Sequence, residues 1–182
     1  MARSMVHRTF FFLAVAAVCA AAASAAPPKT VPWAQIDGKP LAGRLAALHL
    51  HALGQEGQAE HIHAHVDLYV KGKKVQVPAS IGIDYQQQFI TELHTHDTTG
   101  VIHIESPKVT TFDLGQFFGE WGVKLTGRCV GPYCGAVRWW VNGKPQHGDP
   151  ASHVLRAHEE IVVAEGAAPF VVPKHYAFPL GE

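Results

Sequence analysis

Residues 61–83, HIHAHVDLYVKGKKVQVPASIGI, constrain the fold more than any other stretch of the chain. Up to Val70 they alternate polar or histidine with aliphatic, the period-two signature of a strand with unlike faces. A Gly72–Lys73 pair follows, placed for a two-residue hairpin turn. Pairing outward from it sets Val70 opposite Val75, Leu68 opposite Val77 and Val66 opposite Ala79. Further out, Ala64 meets Ile81 and Ile62 meets Ile83, so one face is wholly apolar. His61, His63, His65, Asp67 and Tyr69 share the other. A one-residue slip would exchange the faces and bury every histidine, so the register is well specified.

Residues 92–105, ELHTHDTTGVIHIE, read as a second hairpin, with Asp97 and Gly100 at the first and last positions of a type I turn. Pairing about that turn puts His96 opposite Val101, His94 opposite His103, Leu93 opposite Ile104 and Glu92 opposite Glu105. His94, His96, His103, Glu92 and Glu105 then share a face. Two opposed glutamates are unfavourable unless a cation or a proton separates them, which hints at a ligand.

The flanking segments are less regular. Leu41, Leu45 and Leu48 are spaced for a helix, whereas LHLHAL (48–53) alternates like a strand. The expectation is a helical start passing into a strand. Pairing that strand through the GQEGQAE loop would set His51 opposite His61 and His49 opposite His63, pooling five imidazoles. TTFDLGQFFGEWG reads as a short helix capped by Asp113, with Leu114, Phe117 and Phe118 inward and Gly122 ending it. VRWWVNGKPQ enters an Asn142–Gly143 turn, answered by HVLRAHEEIVVAEG, and VPKHYAFPLGE is a Pro-punctuated tail. The expected fold is mainly β, with antiparallel hairpins forming a small sheet or sandwich and one short helix. A single β-rich domain would span 48–182, after a Pro-rich leader and short helix at 27–47.

Composition bounds the setting. Arg3 and Arg8 precede FFLAVAAVCAAAASAA, an apolar run ending in small residues, which reads as a signal peptide over 1–26. Its apolar core is too short for a membrane span. A periplasmic or secreted protein is expected, with no membrane insertion after cleavage. The chain has 15 Lys and Arg, 15 Asp and Glu and 13 His. Without Arg3 and Arg8 the balance stays near neutral, which argues against a nucleic-acid partner, since phosphate binding needs a basic patch. Cys129 and Cys134 in CVGPYC read as a disulfide closing a short loop; a zinc or copper thiolate is the alternative.

Imidazole suits zinc, copper and nickel, and His-x-His on a strand places two rings on one face. His94, His96 and His103 are the expected ligands of a transition metal ion, zinc or copper first, with Glu105 or Glu92 as a fourth. His61, His63 and His65 form a second site or the opposite wall of the same one. The alternative is an interaction module with a solvated, pH-sensitive histidine face. A third reading is a cupin-like metal-dependent enzyme in which Glu92 or Glu105 acts as base. No nucleophile elbow is present, and no catalytic residue is assigned.

Two blocks carry resemblances. LHTHDTTGVIHIESP, with HIHAHVDLYVKGKKVQVPASIGID before it and FDLGQFFGEWG after it, resembles uncharacterised exported bacterial proteins over most of 61–122. That likeness implies export and no specific activity. WWVNGKP followed by HVLRAHEEIVV resembles the closing half of a β-grasp domain of the transcobalamin C-terminal type, over roughly 111–166. It implies a fold only, and His158-Glu159 stands where that pattern has Gly-Asp.

Overall fold

The computed structural model describes Met1, residues 40–168 and residues 171–181. Residues 2–26 of the expected signal peptide and 27–39 of the leader lie outside the described residues.

The alternating stretch forms β1, Glu60–Val70, and returns as β2, Lys73–Val75. The turn between them is Lys71–Gly72, with φ of 50° and 77°, so both central residues are left-handed. Such a turn favours glycine at its second position, which moves it one residue upstream of the expected Gly72–Lys73 pair. The register becomes Leu68↔Val75 and Val70↔Lys73. It differs from the expected one by two residues, so each face keeps its side chains. The hairpin ends after three pairs. Pro78 has no N–H for a ladder, and Ser80 and Gly82 take φ of 62° and 73°, turning the chain away. The expected partners Ala79, Ile81 and Ile83 therefore never reach β1. Ile83–Asp84 (β3) pairs instead with Phe89–Ile90 (β4).

The second hairpin takes their place. Leu93–His94 (β5) pairs with Val101–Ser106 (β6) in the expected register, Leu93↔Ile104 and His94↔His103. β6 then lies antiparallel along the outer half of β1, from Glu60↔Ser106 to His65↔Val101.

Residues 48–53 are not a strand. The leucine spacing wins, giving helix α1, Ala42–Leu48, closed by His49 at φ 56°. The only extended pairing beyond it is a bridge from Leu53 to Ile90. His49 and His51 therefore do not stand opposite His63 and His61. Helix α2, Leu114–Trp121, starts at Asp113 with a capping box to Gln116 and ends at Gly122, φ 71°. Leu114, Phe117 and Phe118 are fully buried, worth about 2–3 kcal/mol each by area. α1 closes on α2 at Gly119, where an added Cβ would lie 2.4 Å from Leu48 Cδ2.

Leu125–Thr126 (β7), Cys129–Val130 (β8) and Tyr133–Cys134 (β9) make a small meander pinned by a Cys129–Cys134 disulfide. Val137–Val141 (β10) turns through Asn142–Gly143, φ 50° and 73°, into Lys144–Gln146 (β11). The long answering strand expected there is displaced. Glu160–Glu165 (β12) takes the opposite edge of β10 and runs parallel to β1. The large sheet has the order β11-β10-β12-β1-β6-β5, with β2 also on β1. It is mainly antiparallel with one parallel pair, and among the described residues the two short α-helices are α1 and α2.

The apolar sheet face packs Ala64, Val66, Leu68, Ile102, Ile104, Ile161 and Val163 against α2. The histidine face is buried as well. His63, His65, Asp67, His94, His103 and Glu105 all lie below a tenth exposure. Part of the cover is the C-terminal tail: Tyr176 stacks on His65 at 3.9 Å and 8°, and Phe178 packs on His158.

Candidate metal centre

Strand pairing assembles the cluster directly. On β5, β6 and β1 the residues His94, His103 and His63 form one cross-strand row. The next row holds Glu105 and His61, and His96 lies just past the end of β5. The rings run in a continuous chain. Centroids are 5.2 Å apart for His61–His63, 4.5 Å for His63–His103, 5.2 Å for His94–His103 and 4.4 Å for His96–His103. Five imidazoles are thus pooled on one face, although His61, His63, His94, His96 and His103 are not the five expected.

Glu105 is the hub. Its Oε1 lies 3.2 Å from His103 Nδ1, 3.5 Å from His61 Nε2 and 3.8 Å from His63 Nε2; its Oε2 lies 3.9 Å from His94 Nε2. Glu56, from the GQEGQAE loop, closes the other side, 3.4 Å from His96 Nε2 and 4.0 Å from His94 Nε2. The floor is buried and the rim is open: the side chains of His61, His96 and Glu56 are 42%, 47% and 43% exposed.

Two atoms at the floor are left over. His94 Nε2 and Glu105 Oε2 are buried and have no hydrogen-bond partner among the described residues. His94 Nδ1 faces the carbonyl of Thr91 at 3.1 Å and must donate to it, so the bare lone pair of Nε2 points into the cluster. A second nitrogen tied to a backbone carbonyl is how metal-ligating histidines are oriented. Leaving a buried acceptor unsatisfied costs about 1–3 kcal/mol.

The electrostatics suit a cation. Burial lowers His94 to about 4, Glu105 acting the other way. His63 is likewise lowered to about 4 by burial, then by His103 and His61. For Glu105 burial pushes upward, but the His103 hydrogen bond and the charges of His94, His61 and His103 outweigh it and hold the carboxyl below its ordinary value. Imidazoles such as His94 and His63, held neutral beside a carboxylate, are ready donors to a metal. Three groups here each bring one donor atom per residue within 4.8 Å of one another: His94/His96/His103, His61/His63/Glu105 and Glu56/His94/Glu105. Tetrahedral zinc with bonds of 2.0–2.2 Å needs donors roughly 3.3 Å apart, so shifts of less than an ångström would close the site.

Two expected ligands are elsewhere. Glu92 stands beside Glu105 in the backbone, its carbonyl accepting from Glu105 N at 2.8 Å. Its carboxylate, however, takes the backbone N–H of His51 at 2.9 Å and His51 Nδ1 at 2.6 Å. No cation is therefore needed between the two glutamates. His65 is committed too: Nε2 donates to the Thr99 carbonyl at 3.0 Å and Nδ1 meets Glu160 Oε2 at 2.8 Å. With Asp67 and Glu160 it forms a separate acidic group. Glu56 and Glu160 carry no periodic signal in the sequence. The loop glycine Gly57 is the one local hint for Glu56, since an added Cβ would lie 2.1 Å from the Ser106 carbonyl carbon. The Cys129–Cys134 pair is a disulfide and supplies no thiolate.

Among known proteins, no family model, no curated protein and no solved structure matches this chain.

Proposed function

We propose that this is an exported protein that binds a transition metal ion, zinc or copper first and nickel next, through His94, His96 and His103 with Glu105 as the fourth donor. The observation that carries the reading is the pair of buried, unpartnered atoms, His94 Nε2 and Glu105 Oε2, 3.9 Å apart at the floor of five imidazoles. A cation between them satisfies both at once, and each left bare lowers the stability. Three nitrogens and one carboxylate oxygen suit zinc and copper better than hard cations. Export is supported by the leader-like N-terminus and the disulfide. In addition, no helix among the described residues is long and apolar enough to cross a membrane.

The test is a metal titration of untagged protein purified without a nickel column. Metal at a hundredfold excess over Kd stabilises the folded state by about 2.7 kcal/mol, which for a domain of this size raises Tm by roughly 10 °C. Unchanged melting with zinc, copper and nickel would sink the proposal.

A further inference from the structure

We infer that the cluster holds two metal ions rather than one, with Glu105 bridging them through its two oxygens. The inference rests on the metal-binding reading above and deepens it. The two carboxylate oxygens of Glu105 face different imidazoles: Oε2 looks to His94, while Oε1 looks to His61 and His63, and His103 between them meets Oε1 through Nδ1 at 3.2 Å. The donors fall into two compact groups, His94/His96/His103 and His61/His63/Glu105, each compact enough for an ion. One ion could not use all five rings, because the histidines run along the sheet across three strands instead of ringing a point. Ions on either side of one carboxylate lie about 4 Å apart, the usual spacing of two-metal sites.

The two positions differ in kind. The first is built on fully buried His94 and has Glu56 poised at 3.4 Å from His96 to complete its shell. The second has three protein donors, His61, His63 and Glu105, and one of them, His61, is 42% exposed. Three donors with a solvent-facing fourth position are the arrangement that leaves room for water or a small anion. Filling should therefore be sequential, the buried position first and the open one second.

Isothermal titration with zinc, paired with elemental analysis after dialysis, reads the stoichiometry of the untagged protein. Two zinc ions per chain in two resolved steps are expected. His61→Ala, at the exposed rim, should remove the weaker step and leave one ion per chain with the tighter step changed less than threefold. Cobalt(II) provides an independent reading: two equivalents should bind and couple magnetically, and coupling should disappear in His61→Ala. Saturation at one ion per chain in the native protein would overturn the inference while leaving the single-ion function intact. Two ions retained at unchanged affinity in His61→Ala would overturn it as well, whereas no zinc or cobalt bound at all would overturn the metal-binding reading itself.

Discussion

Glu120 provides a sharp test of how the helices are charged beneath the sheet. It lies on α2 and is almost fully buried, and Arg44 of α1 donates to its backbone carbonyl at 2.9 Å. Burial pushes its carboxyl well above the ordinary 4.5; Glu92 pushes the same way, and Thr91 and Arg44 oppose without prevailing. The folded protein therefore keeps a proton on Glu120 where the unfolded chain has released it. Stability falls with rising pH wherever the unfolded state binds fewer protons, so Glu120 costs stability above pH 4.5 until the folded carboxyl ionises. The slope is about 1.4 kcal/mol per pH unit. Glu120→Gln keeps the shape and removes the titration. Between about pH 5 and 7 the native protein should lose stability relative to that variant, by at most about 1.4 kcal/mol per pH unit. Urea unfolding followed by tryptophan fluorescence in excess EDTA measures the gap. The two proteins should be close near pH 5, with the variant more stable at pH 7. A variant that is less stable by the same amount at every pH would refute the reasoning, because Glu120 would then be an ionised partner of Arg44.

The metal cluster should show the opposite trend. His94 and His63 are lowered from 6.5 to about 4, so the unfolded chain binds protons that the metal-free folded protein does not. Stability should fall as pH drops below 6.5, by up to about 1.4 kcal/mol per pH unit for each histidine, and urea unfolding of His94→Asn should show a slope about one proton smaller. Gly57→Ala places a Cβ 2.1 Å from the backbone of Ser106, which cannot yield as a side-chain tip would. It should destabilise the fold by about 1–3 kcal/mol and weaken metal binding through displacement of Glu56, both readable in one zinc-dependent melting series.

The parts of the fold legible in the sequence were those fixed by local rules. The Asn142–Gly143 turn, the Asp113 cap and the His94↔His103 register follow from φ preference, side-chain capping and strand alternation, all short-range. What failed was partner choice. β1 could have paired with 76–84, and its apolar face would have been satisfied, but Pro78 and the turns at Ser80 and Gly82 leave that edge to β6. The parallel docking of β12 on β1 joins residues nearly a hundred positions apart and has no local signal. For the site, alternation placed His61 and His63 on one face of one hairpin and His94, His96, His103 and Glu105 on one face of another; the pairing of β1 with β6 joined the two. Alternation could not show that Glu92, on the same face by parity, would be drawn off by His51, because that contact arises from α1 ending at His49.

That the histidine face is buried sharpens the functional argument. A solvated face tolerates any polar residue, so clustering on it would carry little meaning. A buried face is different, since each polar atom there must find a partner or lower the stability. Here the fold answers that demand only in part. His65 has partners at both nitrogens and His94 has one at Nδ1, yet His94 Nε2 and Glu105 Oε2 are left bare on neighbouring strands, as is Glu160 Oε1 beside His65. The same sheet that satisfies His65 a few residues along β1 could have satisfied His94 with one hydroxyl. The bare pair is retained beside four further imidazoles, in a protein whose stability is a small difference of large terms. A cation that binds only the folded state turns that local cost into a stability that depends on metal. Metal-free protein should therefore open first at the β5–β6 hairpin: its amide hydrogens should exchange faster than those of β12 in EDTA, with the difference closing when zinc is added.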